Sequence, residues 1–330
     1  MSAVSEAVTT SAVRTREATV RRFALTDTIF RTATRLSAIL VLVLLGGVAI
    51  SLITGSWQAL SKFGFSFLTT ESWNPVTENF GALAPIYGTL VTSAIAILIA
   101  VPIGIGIAVF LTELCPRPLR RPIGIAVELL AGIPSIIYGI WGLFVFAPFL
   151  QTTVQPFVIW LFKGIPGLNS LFAGPPYGIG LLTSSLILAI MVLPFITSIT
   201  KDVFDTVPAV LKESAYGIGC TTWEVTRRVT IPYTRVGIMG GVMLGLGRAL
   251  GETMAVTFVI GNSHDLNASL LMPGNSIAAA IANEFTEADT ELYRSSLIAL
   301  ALLLFVVTFI ILTIAKLMLL RIERISGRTN

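Results

Sequence analysis

Charge, histidine and cysteine are what this sequence has little of. Of its 330 residues only 12% are Asp, Glu, Lys or Arg, about half the share found in soluble domains. There is one histidine, His264, and there are two cysteines, Cys115 and Cys220. That leaves no Cys/His cluster for a metal and no C-x-x-C pair. His264 falls in a polar loop and reads as a solvated residue. No GxxxxGK[ST] string occurs, so a phosphate-cradling nucleotide loop is excluded. Ser135, Glu128 and Glu252 have no histidine or metal-ligand partner, so an enzyme reading has no converging catalytic set to stand on.

Long apolar runs are abundant. The chain is 54% hydrophobic, and a helix needs roughly 20 apolar residues to cross a hydrocarbon core. Six runs qualify, near Leu36–Ile53, Ile86–Leu111, Ile123–Phe149, Gly178–Ser198, Val236–Gly261 and Ser296–Leu320. The expected fold class is an all-α membrane protein with six transmembrane helices.

Basic residues set the orientation. With a cytosolic N-terminus, 18 of the 22 Lys and Arg fall inside. Six lie in the N-terminal tail, three at Arg117, Arg120 and Arg121, five between Lys201 and Arg235, and four from Lys316 onward. Lys62, Lys163 and Arg294 fall outside and Arg248 falls within a span. The positive-inside rule expects this bias. Both termini are therefore expected in the cytosol, and the net charge of +4 reports topology, not nucleic-acid binding. Cys115 and Cys220 would then face a reducing compartment and stay unpaired.

Three regions follow. Residues 1–35 form a basic cytosolic tail, polar and small over 1–13 and then alternating arginine with Phe23, Leu25, Ile29 and Phe30. That pattern suits an interfacial helix on the membrane or a solvated leader. The first apolar run starts too late for a cleavable signal peptide. Residues 36–320 hold the membrane domain, with a polar loop at 199–235, and 321–330 form a second cytosolic tail. Aromatics between Gly55 and Pro85 (Trp57, Phe63, Phe65, Phe67, Trp73) fit an interfacial belt or a partner surface. Val154–Phe162 is apolar but too short to span and reads as an interfacial or re-entrant helix.

The 199–235 loop is built as an elbow. Asp205 or Thr206 can cap a helix with Pro208 in its first turn, and Gly217 or Gly219 can end it. Thr221 with Glu224 three residues on makes a capping box that starts a second helix, which Pro232 should stop. Tyr216, Ile218 and Trp223 would be its apolar knobs, and Glu213 would brace the elbow or meet a basic group on a partner.

Two features lie within spans. In ELLAGIPSIIYG, Pro134 kinks or breaks the third span near Gly132, and a helix restarting there would offer backbone N–H groups and Ser135 Oγ near mid-membrane, a place for an anion or a packing kink. In GGVMLGLGRALGET, Gly241/Gly245 and Gly247/Gly251 are four apart and allow close helix approach. Arg248 and Glu252 are also four apart and would share a helical face. A mid-span charge costs ~3 kcal/mol on insertion scales, so these two mark a pathway or a structural pair.

Glu213-Ser-Ala215-Tyr-Gly-Ile-Gly219, then nine residues, then Val229-Thr-Ile231-Pro232 closely resembles the EAA motif of ABC importer permeases, with Ser214 in place of an alanine. ELLAGIPSIIYG and GRALGETMAV further resemble phosphate-specific (Pst) permeases, and the sizeable first external loop favours the PstC type. The resemblance runs from the first span onward. It implies a type I importer fold in a bacterial cytoplasmic membrane, with Glu213, Ala215, Tyr216, Gly219 and Trp223 coupling to an ATPase. It implies Arg248, Glu252, Ser135, Gly132 and Tyr138 along the substrate route, and no cofactor. The implied partners are a second, PstA-like permease, two copies of a cytosolic ATPase and an extracytoplasmic phosphate-binding protein. Another oxyanion such as sulfate or molybdate, or a secondary transporter or channel, are the alternatives; the last two leave the capped elbow unexplained.

Overall fold

The computed structural model describes residues 2–325, with side chains from 26 to 321. Two compact units are separable, Met1–Thr54 and Gly55–Asn330. The first unit is helical, the leading part of α1 (Ser2–Phe63). The facing of Arg14, Arg16, Arg21, Arg22 and Arg324, and the placement of Arg328, lie outside the described residues.

After α1 come α2 (Ser66–Thr69), a two-stranded hairpin β1 (Trp73–Asn74) and β2 (Asn79–Phe80), and α3 (Leu83–Leu114). There follow α4 (Arg117–Ala131), α5 (Ser135–Phe162), α6 (Leu168–Leu171), α7 (Leu181–Asp205) and α8 (Ala209–Gly217). The rest is α9 (Thr222–Leu250), α10 (Met254–Thr257), α11 (Ile277–Glu284) and α12 (Glu291–Ile325). Among the described residues, six helices are long and apolar enough to cross a membrane: α1, α3, α5, α7, α9 and α12.

α7 is the axis of the second unit, flanked by α3, α4, α5 and α9. Small residues let its neighbours approach. Gly237, Gly241 and Gly245 of α9 lie against Val203, Ile199, and Ile196 with Val192 of α7. Gly104 of α3 sits on Ile196 and Thr197. Without a hydrophobic drive between helices in lipid, such close backbone contact is what holds them. Of the two glycine pairs, only Gly241/Gly245 serves this packing. A Cβ on Gly247 would be in ordinary contact with Leu312, and Gly251 ends the helix.

Two spans differ from the sequence expectation. The third is broken at Gly132–Pro134 as expected, but its bounds are not Ile123–Phe149. α4 ends at Ala131, and α5 restarts at Ser135 and continues to Phe162, so Val154–Phe162 belongs to it. Five-residue π turns at Gly142–Phe146 and Leu150–Val154 keep the helix going. The fifth span begins inside the elbow at Thr222, because a π turn at Thr226–Thr230 absorbs the amide that Pro232 lacks. It also stops early, at Leu250, where three glycines in seven residues have weakened it.

Candidate functional site

Two helix breaks meet beside α7. The first is Gly132–Pro134, between α4 and α5, where Gly132 N and Ile133 N fall back on the Leu129 and Leu130 carbonyls at 3.0 and 3.3 Å. Ser135 opens α5, and the Tyr138 hydroxyl reaches back to donate to Leu130 O at 3.0 Å, fixing the break. Gly132 is exposed, and a side chain there would meet only its own turn. The second break is Gly251–Thr253, between α9 and α10. Gly139 joins the two, because it is pressed against Met254 O, Ala255 and Phe258 with no room for a Cβ.

Arg248 sits in the last turn of α9, next to the second break. Its guanidinium carbon lies 4.5 Å from the centroid of the Phe195 ring, near the middle of α7. No carboxylate among the described residues pairs with it, and its Nε is buried without a hydrogen-bond partner.

The expected Arg248–Glu252 pairing is not there. α9 has ended at Leu250, so the two residues do not share a helical face. Glu252 Oε1 instead accepts from Ala255 N at 3.2 Å, capping α10. A free amide at a helix start is the nearer partner for that carboxylate. The balance then matters. Mid-span arginine costs ~3 kcal/mol, and a ring face returns ~1–2 kcal/mol. The guanidinium is left under-compensated, with donors to spare. Glu128 is elsewhere, bonded to Lys201 at 3.0 Å.

The elbow forms a second site. α8 starts after Pro208, with no side-chain cap from Asp205 or Thr206; Asp205 instead accepts from Arg120 at 2.6 Å. Thr221 and Glu224 make the capping box in both directions. Between the helices Gly219 adopts φ +90°, a conformation that strains any side-chain-bearing residue. Ala215 is buried inside the turn and bonds Cys220 N through its carbonyl. Tyr216, Ile218 and Trp223 project outward, Ile218 84% exposed and Trp223 64%. Glu213 is exposed as well. Lys212 Nζ bonds Glu113 Oε1 at 2.6 Å, tying α8 to the end of α3.

At the opposite end of the bundle, sequence reasoning missed a network. His264 is not a solvated loop residue. It stacks on Trp73 at 5.2 Å with a 3° interplanar angle, and its Nε2 lies 2.7 Å from Glu284 Oε1. Trp73 Nε1 and the Tyr293 hydroxyl both donate to Glu284 Oε2. Burial works to raise the Glu284 carboxyl, but the hydrogen bonds from His264, Tyr293 and Trp73 outweigh it and hold the group below its ordinary range. Trp73 and Glu284 are 211 residues apart, and no local pattern announces such a contact.

Residues 100–324 match the family model described as "Binding-protein-dependent transport system inner membrane component". The chain belongs to this family of ABC importer permeases. A relative in Mesorhizobium japonicum, "Phosphate transport system permease protein PstC", is 80% identical over 328 residues, covering 99% of this chain and all of that one. A protein of the same name in Pasteurella multocida is 57% identical over 302 residues, 92% of this chain and 94% of its own. Among solved structures, a chain of a bacterial alginate ABC transporter, in complex with an alginate pentasaccharide-bound periplasmic protein, superposes with a TM-score of 0.56. It is 19% identical and covers 88% of this chain and 95% of that one. At that identity the likeness concerns the fold alone, which is that of a type I importer permease. This permease is a multi-pass membrane component of a transport system.

Proposed function

We propose that this chain is the permease subunit of an ATP-driven inorganic phosphate importer, forming half of the translocation pathway and coupling it to a cytosolic ATPase. The observation behind the substrate is Arg248, a guanidinium seated on the Phe195 ring near the middle of α7 with no carboxylate partner among the described residues. Guanidinium can offer phosphate two parallel donors. The Mesorhizobium relative, 80% identical and named for phosphate transport, supports the same choice.

In this reading Arg248, Ser135, Gly132 and Tyr138 line the route, with Glu252 shaping its end. A PstA-like second permease supplies the facing wall, and an extracytoplasmic phosphate-binding protein delivers substrate. Two ATPase copies dock on the permeases, one of them on α8 and the start of α9 through Tyr216, Ile218 and Trp223, with Glu213 at the contact. Both termini lie in the cytosol, as the distribution of Lys and Arg supports. The permease hydrolyses no nucleotide itself.

Uptake of radiolabelled phosphate by cells lacking this gene tests the reading. Complementation should restore uptake only with an active coexpressed ATPase, and excess sulfate or molybdate should not compete. Restoration without the ATPase, or competition by those oxyanions at parity, overturns it.

A further inference from the structure

The first turns of α4 meet the last turns of α7 across a basic cleft of about 360 Å³ that the transport route does not use. Arg117, Arg120, Arg121, Gly124 and Glu128 recur at the three-to-four-residue spacing of one helix face, and Lys201 of α7 closes the other side. Gly124 is buried at the floor, where any Cβ would stand 3.6 Å from Lys201 Nζ.

Carboxylates hold only part of this charge. Arg120 is bonded to Asp205 at 2.6 Å. Lys201 is bonded to Glu128 at 3.0 Å and sits 3.9 Å from Asp202. Arg117 and Arg121 have no acidic partner among the described residues. Four cations therefore face three carboxylates, the third a loose one. The anchored pair is pre-positioned and the two free guanidiniums can close on a ligand from the rim. Arginine forks in that arrangement match the oxygens of a tetrahedral phosphate rather than a planar carboxylate alone. The volume is at the lower end of small-ligand sites, roughly 300 Å³ and upward. Lys201 is six residues beyond Phe195 on α7, about 9 Å along the helix, so the cleft is separate from Arg248.

We infer that this cleft binds a phosphate group. Two sources share that chemistry: free inorganic phosphate at the elbow end, or the headgroup phosphate of an anionic lipid, since exposed Leu119, Leu129 and Leu130 on α4 leave an apolar flank. The inference does not depend on which substrate the permease carries.

Arginine-specific labelling reads the cleft directly. The assembled importer, purified in maltoside micelles free of phosphate, would be treated with phenylglyoxal and mapped by peptide mass spectrometry. One arm adds inorganic phosphate, a second adds phosphatidylglycerol, and a third adds potassium chloride at matched ionic strength. The expected result is that labelling of Arg117 and Arg121 slows at least threefold with phosphate or with the lipid, whichever is the source, and not with chloride. Arg227, exposed on the elbow, serves as an internal control whose labelling should not change. In Lys201→Gln the protection should weaken. Protection by neither ligand, equal protection of Arg227, or undiminished protection in Lys201→Gln overturns the inference.

Discussion

Arg248 lies with its guanidinium carbon 4.5 Å over the Phe195 ring, and that ring is the only charge-compensating neighbour recorded for it among the described residues. A cation–π contact stabilises the arginine without occupying its donors. Replacing the ring should then cost the arginine its rest position. Phe195→Leu keeps apolar volume but removes the π face, and should reduce uptake severalfold with normal assembly. Uptake equal to wild type would mean that Arg248 needs no such seat.

Glu252 caps α10 and does not neutralise Arg248. Glu252→Gln preserves an acceptor oxygen and should leave thermal stability within about 0.5 kcal/mol, whereas Glu252→Ala should lose about 1 kcal/mol, the usual cost of a lost cap. Denaturation of the purified permease in detergent measures both. Glu252→Gln with normal stability and abolished transport would show that the charge itself acts in another conformation.

Gly219 at φ +90° sets the angle between the two elbow helices. Gly219→Val forces a β-branched residue into a left-handed conformation, at a cost of order 1–3 kcal/mol. The variant should insert normally and lose both uptake and substrate-stimulated ATP hydrolysis. Trp223→Ala removes a side chain that is 64% exposed, so it should lower stimulated hydrolysis with little change in stability. Normal coupling in both variants would reduce the elbow to a connection.

The Glu113–Lys212 pair is better shielded than the other ion pairs, with side chains 8% and 20% exposed. Removing one member of this largely shielded pair leaves the other without its partner, at about 1–3 kcal/mol. Lys212→Met should therefore destabilise strongly, and Glu113→Gln added to it should restore most of the loss. A thermal-shift series over the single and double variants checks this; equal destabilisation by the double variant contradicts it.

Acid should unlock the network at the opposite end. The folded carboxyl of Glu284 titrates below its ordinary value, so its contribution is present above the unfolded carboxylate pKa of about 4.3 and is lost as pH falls through the folded one. His264, Tyr293 and Trp73 are the groups that bear on it. Glu284→Gln should flatten the acid limb of the melting curve below about pH 4.5. An unchanged acid limb would place the titrating group elsewhere.

What was legible in the sequence was local. The capping box at Thr221 and Glu224, the turn at Gly219, the break at Pro134 and the close approach at Gly241/Gly245 each follow from chemistry within a few residues. Misreadings came where a neighbour decided. Apolar residues continue past Leu250, so the run Val236–Gly261 hid the helix end and made Arg248 and Glu252 look like one face. Pro232 should have stopped a helix, but a π turn before it took up the missing bond. Nothing near His264 points to Trp73, and only the folded chain stacks them.

The central claim is that Arg248 receives the translocated oxyanion. It is tested most directly by radiolabelled phosphate uptake into proteoliposomes holding the complete importer with Arg248→Gln, alongside Arg248→Lys. Losing a charged hydrogen-bond donor costs about 2 kcal/mol or more, which is roughly thirtyfold. Arg248→Gln should fall by at least that factor with intact assembly, and Arg248→Lys should recover part of it because it keeps the charge but not the planar fork. Uptake by Arg248→Gln within twofold of wild type would contradict the account.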